Sequence, residues 1–214
     1  MAMKEIAAVV GVSVSSVSLW TRDIVLSPEQ IAMRTDRDGR TPNRLLGTER
    51  NAERRRAERR AAQQHGRTLA RSGDPLHRTG CMLYWAEGSK HRNTAALTNT
   101  DVDLLRVFVA FLRRCYAIDE SAIRLTINCH LNNGIELTTI ERWWADQLQL
   151  PTACLRASTV NVASRASRFR RNTLVYGTAR VSVNSTFLVQ SIFGAIQEYA
   201  GIDRPEWLDC APPR

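Results

Sequence analysis

Residues 123–131 read IRLTINCHL, and apolar and polar side chains alternate through the whole stretch. Because successive side chains of a β-strand point to opposite faces, this alternation predicts a strand with one buried and one exposed face. Half-exposed strands are typical of antiparallel sheets, so the stretch favours an α+β fold over a doubly wound one. The exposed face would carry Arg124, Thr126, Asn128 and His130.

Helix and strand signals alternate on both sides of this strand. Upstream, we expect a helix over 76–89, a strand over 95–98 and an apolar helix through Leu112 that Thr100 or Asp101 caps. Downstream, the patterns predict a helix over 138–148, strand-like runs over 155–162 and 174–184, and a closing helix over 186–199. The second of these runs points Thr178, Arg180 and Ser182 outward.

The N-terminal residues 4–24, KEIAAVVGVSVSSVSLWTRDI, have the spacing of a helix-turn-helix. Ala7 allows close packing, Gly11 permits the tight turn, and Val17 locks the second helix onto the first. An ordinary hairpin of two helices is the alternative. In the DNA-binding interpretation, the second helix offers hydrogen-bonding groups to a major groove, namely Ser13, Ser15, Ser16, Ser18 and Arg22. A capping box at Ser27 and Gln30 begins a further helix.

The positive charge of the chain is concentrated in two segments. The 214 residues carry a net charge of +9, and nearly all cations are arginine, because only Lys4 and Lys90 are lysine. Residues 34–71 hold 12 basic and 5 acidic residues, and residues 152–180 hold 6 basic residues and no acid. Clustered cations favour a polyanion ligand, and arginine suits phosphate and guanine. A genome that favours arginine codons would also enrich arginine.

The first basic segment favours helix by composition but has no apolar stripe, so we expect a frayed helical linker over 36–73. Its candidate phosphate contacts are Arg54, Arg55, Arg56, Arg59 and Arg60. The second segment surrounds a predicted hairpin and is either a further DNA contact or a solvated loop. Its candidates are Arg156, Arg165, Arg168, Arg170 and Arg171. The domains would then be 1–35, 36–73 and 74–214.

Several classes of protein are disfavoured. No uninterrupted apolar stretch reaches the ~18 residues of a membrane span, and the N-terminus lacks signal-peptide features, so we expect a cytoplasmic protein. The five cysteines form no CxxC pair, and the histidines lack metal-ligand spacing. Neither a phosphate-binding glycine loop nor a catalytic triad is indicated. We therefore expect no cofactor and no metal.

The segment 80–90, GCMLYWAEGSK, followed by LTNTD at 97–101, resembles one half of a LAGLIDADG homing-endonuclease domain. Leu83, Ala86, Glu87 and Gly88 fall on the motif's leucine, alanine, final acid and final glycine. The resemblance covers roughly residues 76–200 and implies an α-β-β-α-β-β-α unit with one extra helix. It also implies a curved antiparallel sheet whose polar face lies in the major groove. With the helix-turn-helix in front, the chain resembles DNA-binding regulators of actinobacterial or phage type.

Active LAGLIDADG enzymes bind a divalent metal between acids from two paired motif helices, whereas here Glu87 is the sole matching acid. Met82 and Trp85 stand where the motif has a glycine and an acid. We therefore predict a sequence-specific double-stranded DNA-binding protein, a transcriptional regulator or phage-type repressor, acting as a monomer on an asymmetric site or as a homodimer. The alternative is a site-specific endonuclease or recombination factor that uses Glu87 and Mg²⁺. RNA binding is disfavoured because no exposed aromatic platform is indicated.

Overall fold

The computed structural model describes residues 3–25, 27–30, 41–131, 134–161 and 174–209, and describes residues 41–48 by their backbone only. The chain forms two compact units, one within residues 1–52 and the other within residues 53–214. In the described ranges no single helix is long and apolar enough to cross a membrane; the first two helices meet the length and composition only together, as a sharply bent pair.

The first unit contains two short helices, α1 (Met3–Val10) and α2 (Val14–Trp20). Their axes are bent by 108°, and Gly11 makes the turn with a φ of 71°. Ala7 and Val17 are the buried residues of the two helices. Small and β-branched residues therefore hold the pair together at the positions where a tight helical hairpin needs them.

The predicted capping box downstream of α2 is present. The backbone N–H of Gln30 donates to the Ser27 hydroxyl at 3.2 Å, and the backbone N–H of Ser27 donates to the Gln30 amide oxygen at 2.9 Å. The reciprocal bonds satisfy two N–H groups at a helix start. A single long helix, α3 (Thr41–Arg71), then runs through most of the predicted linker.

The second unit combines helices with a four-stranded sheet, which confirms the α+β class. Short 3₁₀ turns lie at Glu120–Ala122, Thr152–Cys154 and Pro205–Leu208. The elements after α3 are, in chain order, α4 (Pro75–Glu87), β1 (Ala95–Asn99), α5 (Val102–Tyr116), β2 (Ile123–Cys129), α6 (Leu137–Gln147), β3 (Thr159–Val160), β4 (Thr178–Val183) and α7 (Thr186–Ala200).

The strand order is β1-β4-β2-β3. Strand β4 is antiparallel to both β1 and β2, but β3 runs parallel to β2. The sheet is therefore mixed, and the expectation of a purely antiparallel sheet was wrong. The reason is that α6 lies between β2 and β3, and a crossover helix lets the chain re-enter the sheet in the same direction. Helix α5 likewise separates β1 from β2, and both strands pair with β4.

The buried face of the sheet follows the predicted alternation. Leu97, Val181 and Leu125 lie opposite one another on β1, β4 and β2, and each is 0% exposed. They share one core with apolar residues of α5 and α7, such as Phe108 and Val189. Burial of whole aliphatic and aromatic side chains stabilises such a layer by about 1.5–3 kcal/mol for each.

The C-terminal half of α3 packs against α7 and is not a linker. Ala62, Gly66 and Ala70 recur every fourth residue on one side of α3, and all three are buried. Gly66 and Gly194 let the two backbones approach more closely than a β-carbon at either position would allow. The expectation of a frayed segment is wrong because the buried stripe consists of small residues and contains no large apolar side chain.

A chain of polar side chains crosses the helical layer. The buried His77 ring contacts the hydroxyls of Tyr199 at 2.8 Å and Tyr116 at 3.2 Å. The Ser191 hydroxyl donates to the Tyr116 oxygen at 3.3 Å and also contacts His65 Nδ1 at 3.2 Å. Because these polar groups are hydrogen-bonded to one another, their burial is tolerated. Burial lowers the pKa of His77, and this effect outweighs the nearby carboxylate of Asp74.

Candidate nucleic-acid interface

Polar side chains line the face of the sheet opposite the core. Strand register places Thr98, Arg180 and Thr126 directly opposite one another across β1, β4 and β2. The neighbouring row contains Thr178, Asn128 and Thr159. All six side chains are exposed or half-exposed. We call the surface formed by these residues together with Arg124 the open face.

The open face carries positive charge without compensating acids. Arg124 is exposed and Arg180 is half-exposed, and no carboxylate among the described residues forms an ion pair with either. Both guanidinium groups are therefore available to an anion approaching the sheet. The remaining groups on the face are hydroxyls and an amide, which donate and accept hydrogen bonds.

Hydrogen bonds fix the β2–β3 edge of the open face. The Asn161 amide donates to the Asn128 side-chain oxygen, and the backbone N–H of Arg156 donates to the Leu125 carbonyl at 2.9 Å. The Arg156 guanidinium donates to the carbonyls of Ala153 and Leu155, each at 2.8 Å, and its side chain is exposed. Arg156 is thus held at the edge of the sheet with part of its donor capacity already used.

The other residues near the sheet that the sequence predicts as DNA contacts differ in their accessibility. Ser182 is 7% exposed, so its predicted outward position does not make it accessible. His130 is exposed one residue beyond the end of β2. The candidates Arg165, Arg168, Arg170 and Arg171 lie outside the described residues. Thr98 and Thr159 are additional polar residues at this surface that the sequence does not indicate, because only strand register places them there. Asn161 is a third, and its hydrogen bond to Asn128 places it there.

The candidate residues of α2 are mostly exposed. Ser13 caps the helix by accepting a bond from the backbone N–H of Ser16 at 3.1 Å, so its hydroxyl has a structural role. Ser15, Ser18 and Arg22 are exposed, and Ser16 is half-buried. Large apolar side chains are exposed beside them, namely Val14, Leu19 and Trp20. The surface of this unit is therefore mixed.

Most arginines of α3 are paired with acids. Arg54 lies 3.8 Å from Glu58 in an exposed pair, and Arg60 pairs with Glu53. Asp209 accepts one bond from Arg56 at 2.7 Å and one from Arg59 at 2.6 Å. The Arg59 side chain is only 11% exposed, and Asp209 occupies the position at its guanidinium that a phosphate was predicted to take. Arg55 is exposed and forms no ion pair with the described residues.

The candidate catalytic acid Glu87 is the last residue of α4 and is exposed. Lys90 closes this helix end, because its ammonium donates to the carbonyls of Tyr84, Trp85 and Gly88 at 3.1, 2.7 and 2.9 Å. The parts of the chain that the structure describes contain no group of three acids, histidines or cysteines that could hold a metal ion.

The described cysteines are free thiols. Cys81 is fully buried, and burial raises its pKa well above the ordinary value. Burial also raises the pKa of Cys115, Cys129 and Cys154. Because a raised pKa keeps a thiol protonated, these residues are poor nucleophiles at neutral pH.

Comparison with other proteins adds no family assignment: no protein-family model, curated protein or solved structure matches this chain.

Proposed function

We propose that this protein binds double-stranded DNA and that the open face of the sheet is one of its contact surfaces. The observation that carries the proposal is the pair Arg124 and Arg180, set among hydroxyl and amide side chains without a described acidic partner. A phosphate backbone supplies the anions that such a surface lacks, and base edges supply matching donors and acceptors.

Two neighbouring strands of the open face fit a major groove. Strands β4 and β2 carry Arg180 and Arg124 and lie about 4.7–4.9 Å apart. The major groove of B-form DNA is about 12 Å wide and admits a two-stranded β-ribbon. Arginine can bind guanine by two hydrogen bonds and asparagine can bind adenine, so Arg180 and Asn128 have side chains suited to base readout.

The α1–α2 hairpin is proposed as a second DNA-reading module. Its 108° bend lies in the range of about 90–120° typical of helix-turn-helix motifs. Two different modules in one chain would suit an asymmetric site for a monomer, and a homodimer would suit a palindrome. A transcriptional regulator or phage-type repressor in the bacterial cytoplasm is the function that this combination fits best, and it needs no cofactor.

Selection of bound fragments from random duplex DNA tests the proposal. We expect one recurring sequence, bound at nanomolar affinity, and a logarithm of affinity that falls steeply with the logarithm of salt concentration. A selection that returns no shared sequence, together with an affinity that salt does not change, would overturn the proposal.

The endonuclease alternative rests on Glu87 alone and has its own test. Supercoiled plasmid carrying the selected site is incubated with the protein and Mg²⁺, in parallel with the variant Glu87→Gln. Cleavage by the wild-type chain that the variant lacks would establish the alternative, and intact plasmid in both reactions would exclude it.

A further inference from the structure

The C-terminal segment inserts an acid among basic side chains of the second unit. Each carboxylate oxygen of Asp209 accepts a bond from a different arginine of α3, Arg56 at 2.7 Å and Arg59 at 2.6 Å. Asp209 also lines an open surface groove with Lys90, His91, Arg92, Asn93 and Thr94. Asp209 is the one acid among these described lining residues.

Packing of the preceding turn positions this acid. The ring of Trp207 lies 4.8 Å from that of Phe193 on α7, and the Gln190 amide donates to the Trp207 carbonyl at 3.0 Å. The backbone N–H of Arg204 donates to the Gln197 side chain at 3.0 Å. Residues 204–208 are therefore anchored independently of the ion pairs, and Asp209 follows directly after the anchor.

Arg59 requires an anion at this place. Its side chain is 11% exposed, and its Nε is buried with no hydrogen-bond partner among the described residues. A buried cation without a compensating charge is strongly destabilising, so Asp209 can leave only if another anion takes its position. A phosphate group can do this, because its oxygens accept from two arginines in the same arrangement as the carboxylate oxygens.

We infer that Arg56, Arg59 and the adjoining groove form a phosphate-binding site that Asp209 occupies in the free protein. Arg92 and His91 are exposed at the groove and form no ion pair with the described residues, so they extend the site along a chain of phosphates. The ligand is a polyphosphate chain, either a small molecule or a nucleic-acid backbone. The site shares no residue with the open face and does not depend on the proposed reading of DNA there.

Tripolyphosphate is the probe for this site, and Asp203→Asn is the matched control for Asp209→Asn. Both variants remove one negative charge from the same C-terminal segment, and Asp203 is exposed. We expect calorimetry at low ionic strength to show that Asp209→Asn binds tripolyphosphate at least tenfold more tightly than Asp203→Asn, and that adding Arg56→Gln removes this gain. Equal affinities of the two single variants would overturn the inference.

A measurement on the wild-type chain covers the case in which Asp209→Asn does not fold. Saturating tripolyphosphate is expected to accelerate amide hydrogen exchange at Asp209, because the acid is displaced, whereas exchange at residues 206–208, which are anchored independently, should change less. Unchanged exchange at Asp209 would overturn the inference.

A duplex DNA probe distinguishes the two sources of phosphate. If the DNA backbone is a ligand, Asp209→Asn tightens binding of both tripolyphosphate and duplex DNA. If the ligand is a small molecule, the variant tightens binding of tripolyphosphate alone. Both results support the site. The proposed function fails if the wild-type chain shows no sequence-selective DNA binding. That outcome does not depend on whether the chain binds tripolyphosphate, so the two proposals can fail separately.

Discussion

Gly66 on α3 lies directly against the backbone carbonyl of Ser191 on α7. A β-carbon at Gly66 would come within 1.8 Å of that oxygen, and one at Gly194 would come within 2.0 Å of the Gln63 carbonyl. The contacts are reciprocal, and in both cases the atom in the way is backbone and cannot rotate aside. The close approach of the two helices therefore fixes the C-terminal half of α3 in the second unit.

Gly66→Ala is expected to destabilise the protein although it replaces glycine by the best helix former. In an open helix the substitution would be favourable by about 0.8–1.0 kcal/mol. Here the clash requires the helices to separate, and we expect a net loss of about 1–3 kcal/mol or more in urea unfolding. Gln64→Ala, at an exposed position of the same helix, is the control. A more stable Gly66→Ala variant would contradict the close packing.

Arg124→Gln and Arg180→Gln are each expected to weaken DNA binding and to flatten its salt dependence. Each lost phosphate contact reduces the slope of log affinity against log salt by about 0.9, which fluorescence anisotropy over a salt series measures. A base contact would instead relax specificity at one position. Arg114→Gln removes an exposed arginine of α5 and is the control. A wild-type slope for both Arg124→Gln and Arg180→Gln would exclude phosphate contacts by these two arginines.

Stability should fall in mild acid because of His77. Burial lowers the pKa of this ring in the folded state, so folding favours the neutral form. The contribution of His77 to the free energy of unfolding is complete above the pKa of an unfolded histidine, about 6.5. It is lost as the pH falls from there through the lower pKa of the folded state. Thermal melts between pH 5 and 8 should therefore show a smaller pH dependence for His77→Gln than for the wild type.

Tyr199→Phe is the control for this pH effect. The variant removes the hydroxyl that lies 2.8 Å from His77 Nδ1 but keeps the titrating ring. It should lower stability at every pH and retain an acid-dependent step. Identical pH slopes for wild type and His77→Gln would show that His77 is not responsible.

Lys90→Met is expected to reduce stability by about 1–3 kcal/mol, because three carbonyls at the end of α4 lose a charged donor. Chemical unfolding measures the loss, and Arg92→Gln, two residues away and exposed, controls for the change in net charge. If both substitutions reduced stability equally, the loss would come from the change in net charge and not from the hydrogen bonds of Lys90 to the end of α4.

Local patterns were sufficient for most elements of the fold. Some features depend only on residues within a few positions of one another, so local patterns predict them. They are the alternation of β2, the capping box at Ser27 and Gln30, and the turn at Gly11. Capping of α5 was left open between Thr100 and Asp101; the Asp101 carboxylate accepts from the N–H groups of Asp103 and Leu104.

The sequence by itself determined the α+β class, the bounds of most helices and the polar character of one strand face, because these follow from periodicity and capping. Only the tertiary structure decided the parallel entry of β3, the packing of α3 on α7 and the pairing of Arg59 with Asp209. Such contacts join residues as much as 150 positions apart. They depend on which surfaces fit together in space, and no periodicity along the chain encodes that fit.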